Sequence, residues 1–160
     1  MRTVLSVLVR NSAGVLSHVS GLFTRRGYNI DSLSVGETED ATKSIITLVV
    51  SEEEEMVRQI EKQLYKLVDV LEIRELTGED ALKRELVLLT VKSSRETRHE
   101  LLTLINVFKA RVVDMSESEI MIEMVANPRR ISGFLRAFSE FGIIEMARTG
   151  TIALPFPASG

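Results

Sequence analysis

No cysteine occurs among the 160 residues, which removes disulfides, thiolate nucleophiles and zinc-thiolate sites together and fits a reducing compartment. Histidine is nearly as scarce. His18 and His99, the only two, fall on different predicted helices with no carboxylate cluster beside them, so a metal site or a catalytic triad is unsupported. Both read as boundary surface residues. There is no basic block, and a net charge of −3 gives no electrostatic case for nucleic acid or an anionic membrane. Aromatics make up 5% of the chain. Tyr28 and Tyr65 do not alternate on a central strand, and the six phenylalanines read as helix-core or tail residues, so an RNA-stacking face is also missing. The opening MRTVLSVLVRNS is interrupted at Ser6 and Arg10, far short of the roughly 18 apolar residues of a membrane span. A cytoplasmic protein is expected.

What is present is enough apolar material, 44% of residues, for a packed core, arranged with a clear rhythm. Val4 to Val9 reads as a buried strand. After the polar break Arg10-Asn11-Ser12-Ala13-Gly14, Val15, Leu16, Val19, Leu22 and Phe23 form one helical stripe, with Arg25 and Arg26 in the last turn and Gly27 as terminator. Ile30 to Val35 and Lys43 to Val50 read as a hairpin. Ser51 with Glu54 has the pattern of a capping box opening a second helix with its stripe at Val57, Ile60 and Leu64, and Val68 to Ile73 reads as a fourth strand.

Past Gly78, Glu79 and Asp80 the order repeats. Glu85 to Val91 is a strand, Leu101, Leu102, Ile105 and Phe108 mark a helix, and Val112 to Met115 and Ile120 to Val125 flank a polar turn. Asn127 caps a helix with Pro128 at its first position, and Ile143 to Thr149 closes the set. Two consecutive βαββαβ units predict an α+β chain of two tandem ferredoxin-like domains, residues 1–77 and 83–152, followed by a tail over 153–160. Each such unit leaves a sheet face and edges uncovered, so at least a dimer is expected.

The stretch VRNSAGVLSHVSGLFTRRGYNIDSL has the parts of a cradle for a small zwitterion: a glycine, an asparagine carboxamide and a helix N-terminus. Gly14 either lets a ligand carboxylate approach the backbone or simply shapes a tight loop. Asn29 either joins such a site or fills a helix-to-strand turn. The corresponding loop of the second repeat, Ser93 to Thr97, has no glycine and two charged residues, and predicts no equivalent amino-acid site.

The opening LSVLVRNSAGVLSHVSGLFTRRGYNIDSLSV, with IEKQLYKLVDVLEI, resembles the regulatory (small) subunit family of acetolactate synthase, also called acetohydroxyacid synthase. The likeness runs through the first 75 residues or so, and is looser, in length and element order, through the second half. It implies that residues 1–77 are an ACT domain, an amino-acid-binding ferredoxin-like module. It further implies a protein with no catalytic residues of its own, which activates a catalytic large subunit and confers feedback inhibition by L-valine or a related branched-chain amino acid. Thiamine diphosphate, Mg and FAD are then expected on that large subunit, and no cofactor on this chain. The family's effector residues match Asn11, Gly14, Val15 and Leu16 after the first strand and Asn29 and Ile30 at the second, the two segments coming from different copies of a homodimer.

Arg129 and Arg130, near a helix start where cations are disfavoured, are candidates for a partner carboxylate or for plain solvation. An acylphosphatase-like enzyme could use Arg10, Asn11 and Asn29, but the phosphate-cradling glycine-rich loop is missing. The other alternative is a stand-alone ACT-type module that regulates a different metabolic enzyme.

Overall fold

The computed structural model describes residues 2–158. The chain forms two compact units, Met1–Leu82 with Thr151–Gly160, and Lys83–Gly150. Each builds an antiparallel sheet with two helices packed against it, so the βαββαβ order is adopted twice.

In the first unit the sheet order is β2-β3-β1-β4, from β1 (Arg2–Arg10), β2 (Ile30–Glu37), β3 (Lys43–Ser51) and β4 (Val70–Glu75). Strand alternation decides the core: Leu5 stands opposite Leu48 and Val7 opposite Ile46, all facing the helices. There they meet Val19, Leu22 and Phe23 of α1 (Val15–Arg26) and Val57, Ile60 and Leu64 of α2 (Glu54–Tyr65). Each such side chain contributes about 1.5–3 kcal/mol by leaving water. Gly27, in the left-handed region at φ 67°, ends α1 behind Arg25 and Arg26, where the sequence places the stop.

The capping box does not form. Ser51 is the last residue of β3, its N–H donates to Asn29 C=O just before β2 and its hydroxyl bonds the Asp31 carboxylate of β2, so both groups are taken. Helix α2 instead starts after an extended Glu53, with Glu54 and Glu55 in its first turn. The fourth strand begins at Val70 rather than Val68, because the Val70 N–H donates back to Leu67 C=O.

The second unit has sheet order β6-β7-β5-β8, from β5 (Ala81–Lys92), β6 (Arg111–Met115), β7 (Glu119–Ala126) and β8 (Ile143–Arg148). Its core joins Val87, Leu89 and Val91 to Leu101 and Ile105 of α3 (Arg98–Phe108) and to Ile131, Phe134 and Phe138 of α4 (Pro128–Ser139). Asn127 caps α4 as its sequence predicts, its side chain accepting the Arg130 N–H at 2.8 Å ahead of Pro128. Both edge strands, β6 and β8, are exposed along their whole length.

The expected tail over 153–160 is corrected by β9 (Ile152–Pro155), which pairs with β5. Ala153 is buried with Val4, Val49, Leu76 and Ala81 on the face of the first sheet turned away from α1 and α2, the Thr151 N–H donates to the Ser32 hydroxyl at 3.0 Å, and the Phe156 N–H to Asp80 C=O at 2.8 Å. Four residues with one inward side chain are too short for a periodic signal. Residues 159 and 160 lie outside the described residues.

Candidate functional site

The loop after β1 is held at both sides by backbone bonds. Arg10 N–H donates to Asp69 C=O at 2.9 Å and Asn11 N–H to Thr42 C=O at 2.7 Å, which ties the loop to the approach of β4 and to the β2–β3 turn. That turn is itself organised by Asp40, whose carboxylate accepts the Thr42 hydroxyl (2.6 Å) and N–H (2.9 Å). Those bonds, with Lys43 3.8 Å away, hold the Asp40 carboxyl below the usual carboxylate range.

Gly14 lies at φ 86° immediately before α1, and no side chain caps that helix. The first-turn amides of an α-helix have no intrahelical acceptor, so this end presents N–H groups and the positive end of the helix dipole. A cavity of about 310 Å³ opens beside it. Val9, Val35 and Ile46 give it an apolar wall, and Asn11, Ser12, Ser17 and Ser44 a polar one. The Asn11 carboxamide nitrogen donates to Ala41 C=O at 3.2 Å and reaches Glu37 Oε1 at 3.5 Å, leaving its oxygen to accept. A second cavity, about 600 Å³, lies across the same loop and is lined by residues 10–12, 41–43 and Leu71.

Of the residues singled out in the sequence, Asn11, Gly14, Val15 and Leu16 come together around this cavity. Asn29 and Ile30 do not. They follow the other end of α1, whose 12 residues span about 18 Å, and there the Asn29 N–H donates to Glu52 Oε1 at 3.0 Å. Val35 on β2 and Ile46 on β3 are added by the structure, and the His18 ring lies 3.9 Å from where a Gly14 Cβ would sit. Period-2 alternation puts Val35 on the same face of β2 as Leu33, but only the register of β2 on β3, Val35 opposite Ile46, brings it to this cavity.

Arg130 is engaged within its own unit, donating to Phe108 C=O at 3.2 Å and stacking 5.7 Å over the Phe108 ring, while Arg129 is exposed. Among the described residues no cluster of three or more His, Cys, Asp or Glu could hold a metal ion, and no helix is long and apolar enough to cross a membrane.

Residues 5–72 match the model of the AHAS small subunit-like ACT domain, and residues 84–155 that of the small subunit of acetolactate synthase. The chain is 42% identical over 154 residues to a probable acetolactate synthase small subunit of Archaeoglobus fulgidus, covering 96% of each. Against the acetolactate synthase small subunit of Mycolicibacterium smegmatis it is 42% identical over 150 residues, 94% of this chain and 88% of that one. The crystal structure of an acetolactate synthase small subunit from Thermotoga maritima superposes with a TM-score of 0.89 at 32% identity, over 99% of both chains.

Proposed function

This chain belongs to the acetolactate synthase small-subunit family, and from that membership and the geometry at Gly14 we propose that it is the regulatory subunit through which valine inhibits the enzyme. In this reading catalysis resides in the large subunit, which carries the thiamine diphosphate, Mg and FAD, and the small subunit activates it. The observation that carries the valine assignment is the uncapped α1 N-terminus at a left-handed glycine, opening on a cavity with one apolar and one polar wall. A carboxylate there gains about 0.3–2 kcal/mol from the helix end. An isopropyl group against Val9, Val35 and Ile46 gains about 1.5–3 kcal/mol, and a few charge-assisted hydrogen bonds bring the total to about 4–8 kcal/mol, micromolar to millimolar affinity.

The separation of Asn29 and Ile30 from Gly14 along α1 supports a homodimer in which each site takes its second segment from the other copy. Edge strand β2 is free to meet its own copy, and Val35, which lines the cavity, is 48% exposed in the single chain. Valine then acts by binding one arrangement of the paired ACT domains better than another, since only differential affinity shifts an equilibrium. The cytoplasm is the compartment that fits a chain of this kind.

Calorimetric titration with L-valine tests the assignment. Saturable binding to the purified chain, lost in Asn11→Ala with the fold retained, is the expected result. Equal binding by both proteins would move the site elsewhere.

A further inference from the structure

We propose that the second unit carries a ligand site of its own, at the end of its sheet, for a small monocarboxylate with a short apolar tail. A cavity of about 490 Å³ opens there between the loop after β5, the β6–β7 turn and the start of β8. Element by element this is the place of the larger cavity of the first unit, lined by residues 10–12, 41–43 and Leu71, and not of the one at Gly14. The site is independent of the valine reading.

Two side-chain polar atoms among the described residues are buried without a hydrogen-bond partner, and one of them belongs to a residue that lines this cavity. That one is the hydroxyl of Ser93, a residue only 8% exposed. The other is Nε of Arg98, in the first turn of α3, whose terminal nitrogen donates to Glu117 C=O at 3.2 Å beside the cavity residue Ser118. Leaving such groups unmet costs about 1–3 kcal/mol each, so native proteins meet nearly all of them with protein groups or ordered water, and an exception calls for an explanation. The Ser93 hydroxyl marks a place able to receive a polar group.

The surroundings decide its chemistry. Lys92 lines the cavity with its stem against Gly142, where an added Cβ would come within 3.1 Å, and among the described residues no carboxylate lies within ion-pair distance of its ammonium. The cation and the serine hydroxyls favour an anion. Glu119, paired across the strands with Lys92, disfavours a dianion. Phe141 and Ile144 offer an apolar wall for the tail.

The test is a titration of the isotope-labelled full chain, followed by amide resonances, with isobutyrate, L-valine and 3-methyl-2-oxobutanoate. The three share tail and carboxylate and differ only in what the adjacent carbon bears. Saturable movement of Ser93, Ser94, Thr97 and Ser118 with at least one of them is expected, weakened about tenfold or more in Lys92→Met. The strongest of the three identifies whether Glu119 receives an ammonium or the hydroxyls an oxo group. Ser93→Ala should keep or raise the Tm of the free chain, because it removes an unmet hydroxyl, and should shrink the ligand-induced rise in Tm. The proposal is overturned if these four amides stay still with all three ligands at concentrations on the order of 10 mM, or if Lys92→Met binds as well as the wild type. A fall in Tm of the free Ser93→Ala chain would also overturn it, showing that the hydroxyl is already satisfied.

Discussion

Gly14 combines two demands in one position, a left-handed backbone and open space in front of a helix end. Its φ of 86° strains any L-residue, although an added Cβ would meet nothing closer than His18 at 3.9 Å. Gly14→Ala should therefore lower stability by about 1–2 kcal/mol through backbone strain alone, read as a lower urea midpoint at unchanged slope. Aspartate tolerates this region better, so Gly14→Asp tests charge rather than folding. Elsewhere on this unit, partial burial, and then the nearby Glu75, raise the Glu61 carboxyl above the usual carboxylate range. A carboxyl raised on folding binds its proton more tightly in the native state, so it stabilises the fold at low pH, and that contribution is lost as pH rises through the folded pKa. Glu61→Gln should thus raise Tm at pH 7 and leave it unchanged near pH 4. Because the side chain is mostly solvated, the gain should stay below about 0.5 kcal/mol; thermal melts at the two pH values measure it.

At the scale of elements, α1 and β9 matter most. Helix α1 holds Gly14 at one end and releases Asn29 at the other, so its length alone keeps the two predicted halves of the effector site apart in one chain. The β9 strand closes the far face of the first sheet by placing Ala153, 7% exposed, among Val4, Val49, Leu76 and Ala81. Ala153→Asp buries an unpaired carboxylate there and should destabilise the chain by about 2–4 kcal/mol, measured by equilibrium urea unfolding; an effect below about 0.5 kcal/mol would deny β9 that role. Both helical stripes, the Gly27 stop and the Asn127 cap were legible because their signals are local and repeat every few residues. β9 was not, since its evidence is a partner strand some 70 residues earlier in the chain, and neither was the fate of Ser51, whose capping signature is overridden by bonds to Asn29 and Asp31. Asn11, Gly14, Val15 and Leu16 were legible as one loop and first turn. Val35, Ser44 and Ile46 reach the same cavity only through the register of β2 on β3, which pattern alone does not fix.

For the whole molecule, the chain divides into two units that share one topology. The first unit holds the Gly14 cavity, and the proposed function places activation of the catalytic subunit on a surface apart from it. If sensing and activation use separate surfaces, they can be lost separately. The most direct measurement is the rate of the acetolactate synthase catalytic subunit against valine concentration, with saturating wild-type chain or Gly14→Asp. The account predicts equal activation by both chains and valine inhibition with the wild type alone. Undiminished inhibition with Gly14→Asp, or loss of activation by a Gly14→Asp chain that remains folded, would contradict it.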